Sequence, residues 1–182
     1  MDIQRFDELM KVCGENLCQW VSEWRFFLEF ADAYFKIRGI LNPIIVEIGI
    51  ASNCQKSFYQ ELLNGEHVGI DINYQTPDHP DIVGDSHNFE TVEKLKTRLA
   101  GRPIDLLFID GDHSYESVKL DYELYGPLTK HLLAIHDIHT PTKPNYVKRF
   151  WKELIVIEKI HTVVEIKNYT RPGIGLIIKE PI

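Results

Sequence analysis

The apolar residues of the chain follow two different spacings, one typical of helices and one typical of buried strands. Over the first forty residues they recur every three or four positions, which predicts helix. The residues in this stripe are Phe6, Leu9, Met10, Cys13, Leu17, Trp20, Trp24, Phe27, Leu28 and Tyr34. Gly14 is expected to divide the helix in two, because glycine costs about 1 kcal/mol in a helix interior. We expect the aromatic stripe to be a packing face, with a dimer surface or a lid over a site as the alternatives.

From residue 43 onward, short apolar runs alternate with amphipathic segments. Helices are predicted at 55–63, after Ser86 or Asn88 as N-cap, after Ser114 as N-cap, and around 147–154. Strands are predicted at 44–48, 67–72, 81–84, 104–109, 132–138, 160–166 and 174–178. Strands that alternate with helices imply right-handed crossovers and a mostly parallel sheet that is covered on both faces.

The last two predicted strands are joined by a short segment, KNYTRPG. Since a connection of this length joins only antiparallel neighbours, the final strand should run against the others. The predicted fold is therefore α/β, a Rossmann-like, doubly wound, mostly parallel sheet with a final antiparallel strand and an N-terminal helical segment. We assign residues 1–40 to a helical extension and 41–182 to the sheet domain.

The amino-acid composition excludes several classes of binding partner for this protein. The chain has 182 residues, 44% of them hydrophobic, and a formal net charge of -7, which suits one compact domain. It has no basic stripe for a phosphate backbone, so nucleic acid is not an expected partner. Three cysteines are too few for a disulfide framework or zinc site. With no apolar run long enough to cross a membrane and an acidic start, we expect a soluble, cytoplasmic protein without a membrane partner.

An acidic side chain follows or ends the apolar run of each of the first five predicted strands. These acids are Glu47, Asp71, Asp85, Asp110 and Asp137. The carboxyl ends of parallel strands meet at one edge of a sheet, where doubly wound folds bind their ligands. One acid at a strand end is ordinary, but five in five predict a shared site.

The residue types at this edge favour a ligand without phosphate. The loop after the first strand reads GIASN rather than the glycine-rich dinucleotide fingerprint, and Glu47 would repel phosphate. S-adenosylmethionine, which carries a ribose and a cationic amino acid, fits better. In this hypothesis Asp71 accepts hydrogen bonds from the ribose hydroxyls, Asp85 and Ser86 lie on the adenine side, and Glu47 meets the ammonium group. Gly49 lets the backbone approach closely.

Several segments resemble the class I S-adenosylmethionine-dependent methyltransferases over roughly residues 42–180. The segments are VEIGIAS, GIDI, GDS, LLFIDGDHSYESVKLDYELY, AIHDI and GIGLIIK. The likeness is greatest to the subgroup of cephalosporin-hydroxylase-like proteins and sugar O-methyltransferases of antibiotic pathways, and FIDGDHSYE with a downstream HD is its most specific part.

The resemblance implies further cofactor contacts. They fall at Gly49, Ala51 and Asn53 of the first loop, at Asp110 and at His113. Asn53 stands where many relatives have a second glycine. Because asparagine tolerates positive φ, the turn is expected to survive.

The resemblance also implies a mechanism of metal-assisted O-methylation of a small hydroxyl-bearing substrate such as a sugar. By position, the ligands of a divalent ion, magnesium or similar, would be Asp110, His136 and Asp137. Imidazole is a poor magnesium ligand, so either the metal differs or His136 points elsewhere. The ion would lower the pKa of the acceptor hydroxyl. His113 or His139 would then accept the proton, which makes Asp110 and these two histidines the expected catalytic residues.

Other functions compete with this one. A non-catalytic S-adenosylmethionine-binding module, or a component of an assembly, would use the same cofactor residues. A metal-dependent hydrolase would be built on a cluster of Asp110, Asp112, His113, Asp137 and His139, but it leaves the other strand-end acids unexplained. Asp112 has the simpler alternative of capping the next helix. The chain is short, so we expect the N-terminal helices, or a second subunit bound through them as a homo-oligomer, to supply one wall of the acceptor pocket.

Overall fold

The computed structural model describes residues 1–73, 79–139, 146–157, 162–166 and 172–179. Within these residues the chain forms six α-helices and seven strands. The helices are α1 (Ile3–Cys13), α2 (Val21–Arg38), α3 (Gln55–Leu62), α4 (Phe89–Leu99), α5 (Tyr115–Tyr125) and α6 (Tyr146–Ile157). The strands are β1 (Ile44–Ile48), β2 (Glu66–Asp71), β3 (Ile82–Val83), β4 (Ile104–Ile109), β5 (Thr129–His136), β6 (Thr162–Ile166) and β7 (Ile174–Ile178).

The strands form one mixed sheet in the order β3-β2-β1-β4-β5-β7-β6. The first five in this order pair in parallel, and β7 lies antiparallel between β5 and β6. This confirms the predicted doubly wound sheet with a reversed final strand. Strand order switches between β1 and β4, so a ligand crevice is expected at their carboxyl ends.

Most boundaries agree with the sequence prediction, and the differences have local causes. Strand β5 begins earlier than predicted because Thr129 already pairs with Ile104 of β4. It ends at His136, since Asp137 has a φ of 62° and turns the chain out of the sheet. Helix α4 is capped by Asn88, whose Oδ1 accepts from the Glu90 amide at 3.1 Å. The connection 167–171 lies outside the described residues.

The N-terminal helices pack on one face of the sheet together with α3, while α4, α5 and α6 cover the other face. Trp24 is fully buried and contacts the rings of Phe58, Tyr59 and Phe108 at centroid distances of 6.0, 5.5 and 5.9 Å. The aromatic stripe is therefore a packing face, as expected. Among the described helices, none combines the length and the apolar character needed to cross a bilayer.

Candidate active site

A cavity of about 810 Å³ opens at the carboxyl ends of the parallel strands, within the size range of small-molecule and cofactor sites. Four of the five predicted strand-end acids line it, namely Asp71, Asp85, Asp110 and Asp137. The other predicted residues in its wall are Gly49, Ala51, Ser86, Asp112, His113 and His136. The edge of the sheet thus brings together most of the side chains that the sequence grouped.

The first loop turns sharply where the sequence requires it. Gly49 has a φ of 81°, and a Cβ at this position would collide with the backbone carbonyl of Asp110 on the neighbouring strand. Asn53 has a φ of 58°, so the turn survives without a second glycine, as predicted. Its buried side chain is not part of the cavity wall, however, which corrects the prediction that Asn53 contacts the cofactor.

Asp71 ties the end of β2 to this loop. Its Oδ2 accepts hydrogen bonds from the amides of Ile50 at 3.0 Å and Ala51 at 3.3 Å, and its Oδ1 accepts from the Asn73 amide at 2.7 Å. A carboxylate offers about four acceptor positions. Asp71 can therefore hold the loop and still accept a hydroxyl from the cavity.

The structure corrects the role predicted for Glu47. Its side chain is fully buried, with Oε2 3.0 Å from Nε2 of His67, and it does not line the cavity. Burial raises the pKa of Glu47, although the bond with His67 opposes this rise. The reason lies in strand alternation. Glu47 shares the face of Ile45, which packs towards the N-terminal helices and α3, and on that face it meets His67 of the neighbouring strand.

Asp85 and Ser86 form another part of the cavity wall, and a hydrogen bond from α5 holds this segment in place. The Tyr125 hydroxyl donates to the Ser86 carbonyl at 2.7 Å, and Asp85 accepts from the His87 amide at 2.9 Å. Behind them lies Asp121, which is buried, with its Oδ1 3.3 Å from Nε2 of His87. Burial raises the pKa of Asp121 to about 6. Sequence reasoning missed both His87 and Asp121, although His87 directly follows the GDS segment.

Beside β4 and β5, two carboxylates and two imidazoles form a group that we call the Asp–His cluster: Asp110, His113, His136 and Asp137. Nδ1 of His136 lies 3.0 Å from Oδ1 of Asp110 and 3.6 Å from Oδ1 of Asp137. Nδ1 of His113 lies 3.0 Å from Oδ2 of Asp137, and its Nε2 lies 3.6 Å from Oδ1 of Asp110. Each imidazole is thus held between the same two carboxylates.

The charges of the cluster stabilise one another. Burial acts to raise the pKa of Asp110, but His136 and His113 together bring it below its ordinary value. The hydrogen bond with Asp110 is the main cause that raises the pKa of His113. For His136, burial acts to lower the pKa, but Asp110 and Asp137 outweigh it and raise the pKa to about 9. The cluster therefore carries both signs of charge at neutral pH.

The structure brings the three predicted metal ligands together, and His136 is the poor magnesium ligand among them, as its chemistry indicated. Asp110, His136 and Asp137 do meet, but the imidazole is ion-paired with the two carboxylates. Among the residues that the structure describes, no group of three or more His, Cys, Asp or Glu side chains is arranged to hold a metal ion. Magnesium requires oxygen ligands in near-octahedral geometry, which the imidazole of His136 does not supply. The metal-dependent hydrolase loses its basis for the same reason.

Two further predicted residues, His139 and Asp112, do not have the positions that a catalytic role would require. His139 is not in the cavity wall, and its Nε2 is 4.0 Å from Oε2 of Glu165, because the turn at Asp137 directs the chain away. Its predicted catalytic role is therefore corrected. Asp112 lies at the cavity wall and supports the start of α5, accepting from the Ser117 hydroxyl at 2.7 Å and from the amide of Ser114, the N-cap residue, at 3.3 Å.

The segment between α1 and α2 reaches the site. The sequence predicted that the N-terminal helices, or a second subunit bound through them, would supply one wall, but not which residues would do so. Cys18 lines the cavity, and the carbonyl of Asn16 accepts from the Ser52 hydroxyl at 2.7 Å. The amide Nε2 of Gln19 donates to Oδ2 of Asp110 at 2.6 Å, across 91 positions of sequence. The N-terminal segment thus supplies one wall of the site.

Comparison with known proteins agrees with this geometry. Residues 57–138 match the family model described as a methyltransferase domain. A search of the curated proteins finds no match. Among solved structures, the chain resembles the MycE methyltransferase from the mycinamycin biosynthetic pathway, solved with Mg, SAH (S-adenosylhomocysteine) and mycinamycin VI. The TM-score is 0.66 at 16% identity, over 94% of this chain and 53% of that one. The chain thus spans about half the length of MycE.

Two other solved structures share the fold along most of their length. One is the O-methyltransferase from Bacillus cereus in complex with SAH, with a TM-score of 0.54, 16% identity and coverage of 98% of this chain and 92% of that one. The other is TomG from Streptomyces achromogenes, an O-methyltransferase involved in tomaymycin synthesis and solved with S-adenosylmethionine. Its TM-score is 0.54 at 14% identity, over 98% of this chain and 90% of that one.

The chain has the fold of the class I S-adenosylmethionine-dependent methyltransferases, and the match of residues 57–138 to a methyltransferase-domain model agrees with the resemblance seen in its motifs.

Proposed function

We propose that the protein transfers the methyl group of S-adenosylmethionine to a hydroxyl group of a small molecule. The observation that carries the proposal is the convergence of Asp71, Asp85 and Asp110 on one cavity beside the Gly49 turn. Neighbours with this fold were solved with S-adenosylhomocysteine or S-adenosylmethionine at low sequence identity. A cavity of about 810 Å³ leaves room for an acceptor beside a cofactor.

The lining residues suit the parts of this cofactor. Asp71 retains acceptor capacity for ribose hydroxyls after binding the loop amides. Asp85 and Ser86 would flank the adenine. Since Glu47 is committed to His67, Asp110 is the carboxylate on the β4 side of the cavity that would face the cationic amino-acid end.

When bound, S-adenosylmethionine supplies an electrophilic methyl group on a sulfonium. The protein must align the acceptor oxygen and take up its proton. His113 suits the second task because its half-exposed imidazole lines the cavity and is held by Asp137 and Asp110. We assign it as the proton acceptor.

Binding and turnover test the proposal separately. Calorimetry should show 1:1 binding of S-adenosylhomocysteine and no binding of NAD at the same concentration, because five carboxylates line the cavity and would repel the pyrophosphate of NAD. Release of S-adenosylhomocysteine should then be followed with panels of hydroxylated and amine compounds. Absence of cofactor binding would overturn the function. Binding without turnover on any hydroxyl compound would favour the non-catalytic module.

A further inference from the structure

Asp121 is a buried carboxylate that the proposed chemistry does not use. It lies on the inner face of α5 and is 1% exposed. Burial raises its pKa to about 6, so the charged form disfavours the folded state near neutral pH. An asparagine of the same shape would remove this cost. A buried acid that lowers the stability of the fold points to a role in the function of the protein.

The carboxylate of Asp121 faces the part of the cavity wall that follows β3. Its Oδ1 lies 3.3 Å from Nε2 of His87, and the side chain of Ser86 donates a hydrogen bond to the same carboxylate. Tyr125, one turn further along α5, donates through its hydroxyl to the carbonyl of Ser86 at 2.7 Å. Helix α5 therefore holds this segment from two positions.

His87 connects Asp121 with Asp85. Nε2 of its ring faces Asp121, while Nδ1 lies 3.6 Å from Oδ1 of Asp85. The backbone amide of His87 donates to the same Oδ1 at 2.9 Å. The side chain of Asp85 is 62% exposed and lines the cavity. Since both contacts fall on Oδ1, among the described residues the Oδ2 atom of Asp85 remains open to a ligand.

We propose that Asp121 is a positioning residue, which acts through His87 to direct Oδ2 of Asp85 at the exocyclic amino group of the bound adenine. The inference rests on the proposed function, in which Asp85 lies on the adenine side of the cofactor. An ionised carboxylate accepts hydrogen bonds and donates none. Asp85 therefore suits a base that carries an amino group at this position and disfavours a base that carries an oxo group there. The Asp121–His87–Asp85 chain sets this preference.

Asp121→Asn tests the role without weakening the fold. The amide keeps the shape of the side chain and avoids burying a charge, so urea denaturation at pH 7 should show a stability equal to or above that of the wild type. Glu123→Gln is the matched control, since Glu123 lies on the same helix with its side chain 54% exposed and 3.9 Å from Lys119. The control should change neither stability nor ligand affinity.

Calorimetry then compares S-adenosylhomocysteine with S-inosylhomocysteine, in which an oxo group replaces the amino group of the base. The wild type should prefer S-adenosylhomocysteine by about tenfold or more, the contribution of one hydrogen bond to a charged group. In Asp121→Asn the affinity for S-adenosylhomocysteine should fall by about tenfold, and the affinity for the analogue should not change. Equal affinity of the wild type for both ligands would overturn the role of Asp121. So would a variant that keeps the preference or that loses affinity for both ligands equally.

A double-mutant cycle with His87→Ala tests whether the effect passes through His87. If it does, Asp121→Asn weakens S-adenosylhomocysteine binding in the wild-type background but not in the His87→Ala background. Additive losses would show that Asp121 acts by another route and would refute the chain. Failure of the wild type itself to bind S-adenosylhomocysteine would overturn the proposed function, and that measurement involves no variant.

Discussion

Asp71 has two roles, one in anchoring the first loop and one in the proposed cofactor site. Its carboxylate accepts three backbone amides, from Ile50, Ala51 and Asn73, at 3.0, 3.3 and 2.7 Å. In the proposed function it also accepts the ribose hydroxyls. Asp71→Ala removes the loop anchor and the ribose contacts together. Asp71→Asn keeps one acceptor oxygen in the same place but removes the charge.

The size of the effect follows from the bonds lost. Hydrogen bonds to a charged group contribute about 1.5–3 kcal/mol each, so the loss of one ribose contact together with the three amide bonds that anchor the loop amounts to at least about 3 kcal/mol. Asp71→Ala should therefore weaken S-adenosylhomocysteine binding by roughly 100-fold or more. Asp71→Asn should weaken it by about tenfold, because a neutral bond remains where a charged one stood.

Isothermal calorimetry with S-adenosylhomocysteine measures both values. Glu66→Gln is the matched control, since Glu66 lies on the same strand at its opposite end and pairs with Arg102 in an exposed ion pair at 2.8 Å. Such pairs contribute about 1 kcal/mol or less to stability, so the control should bind as the wild type does. If Asp71→Ala binds S-adenosylhomocysteine with unchanged affinity, the assignment of the cavity to this cofactor is refuted.

Three further predictions concern the scaffold of the site. Gly49→Ala, with a φ of 81° and a backbone collision with Asp110, should lower stability by about 2 kcal/mol or more in thermal unfolding; an unchanged Tm would contradict the close approach. Trp24→Ala should cost about 3–5 kcal/mol in urea denaturation, whereas Trp20→Ala, at a position 45% exposed, should cost much less. Because the folded-state pKa of Asp121 is raised to about 6 from 3.8, its ionisation disfavours the folded state, and this loss develops as the pH rises from about 4 to 6. The unfolding free energy of Asp121→Asn relative to wild type should therefore be higher at pH 7 than at pH 4, and a pH-independent difference would contradict it.

The sheet could be predicted from sequence because its strands are buried on both faces. Strands β1, β4 and β7 have the bounds that their apolar runs indicate. The ligand edge followed from the acids at the strand ends. The roles of the individual side chains at that edge were harder to predict. Strand alternation shows that Glu47 and Ile45 share a face of the sheet, but it does not show which helices cover that face. The left-handed turn at Asp137, which removes His139 from the site, has no glycine to mark it.

Contacts between distant parts of the chain gave no sequence signal. Nothing in the local pattern connects Gln19 with Asp110, and the pairing depends on how α2 packs on the sheet. The same holds for the hydrogen bond between His136 and Asp110, which lie on neighbouring strands and which the local sequence does not connect. The pairing of side chains within the site could therefore not be predicted from the sequence of this protein.

The bond between Gln19 and Asp110 has a consequence for biosynthesis. Gln19 is made before Asp110 and remains without this partner until the fourth strand has been made and has joined the sheet. The cavity wall consequently reaches its final form late, and under the proposed function a nascent or clipped chain that lacks either end of this connection should bind S-adenosylmethionine more weakly.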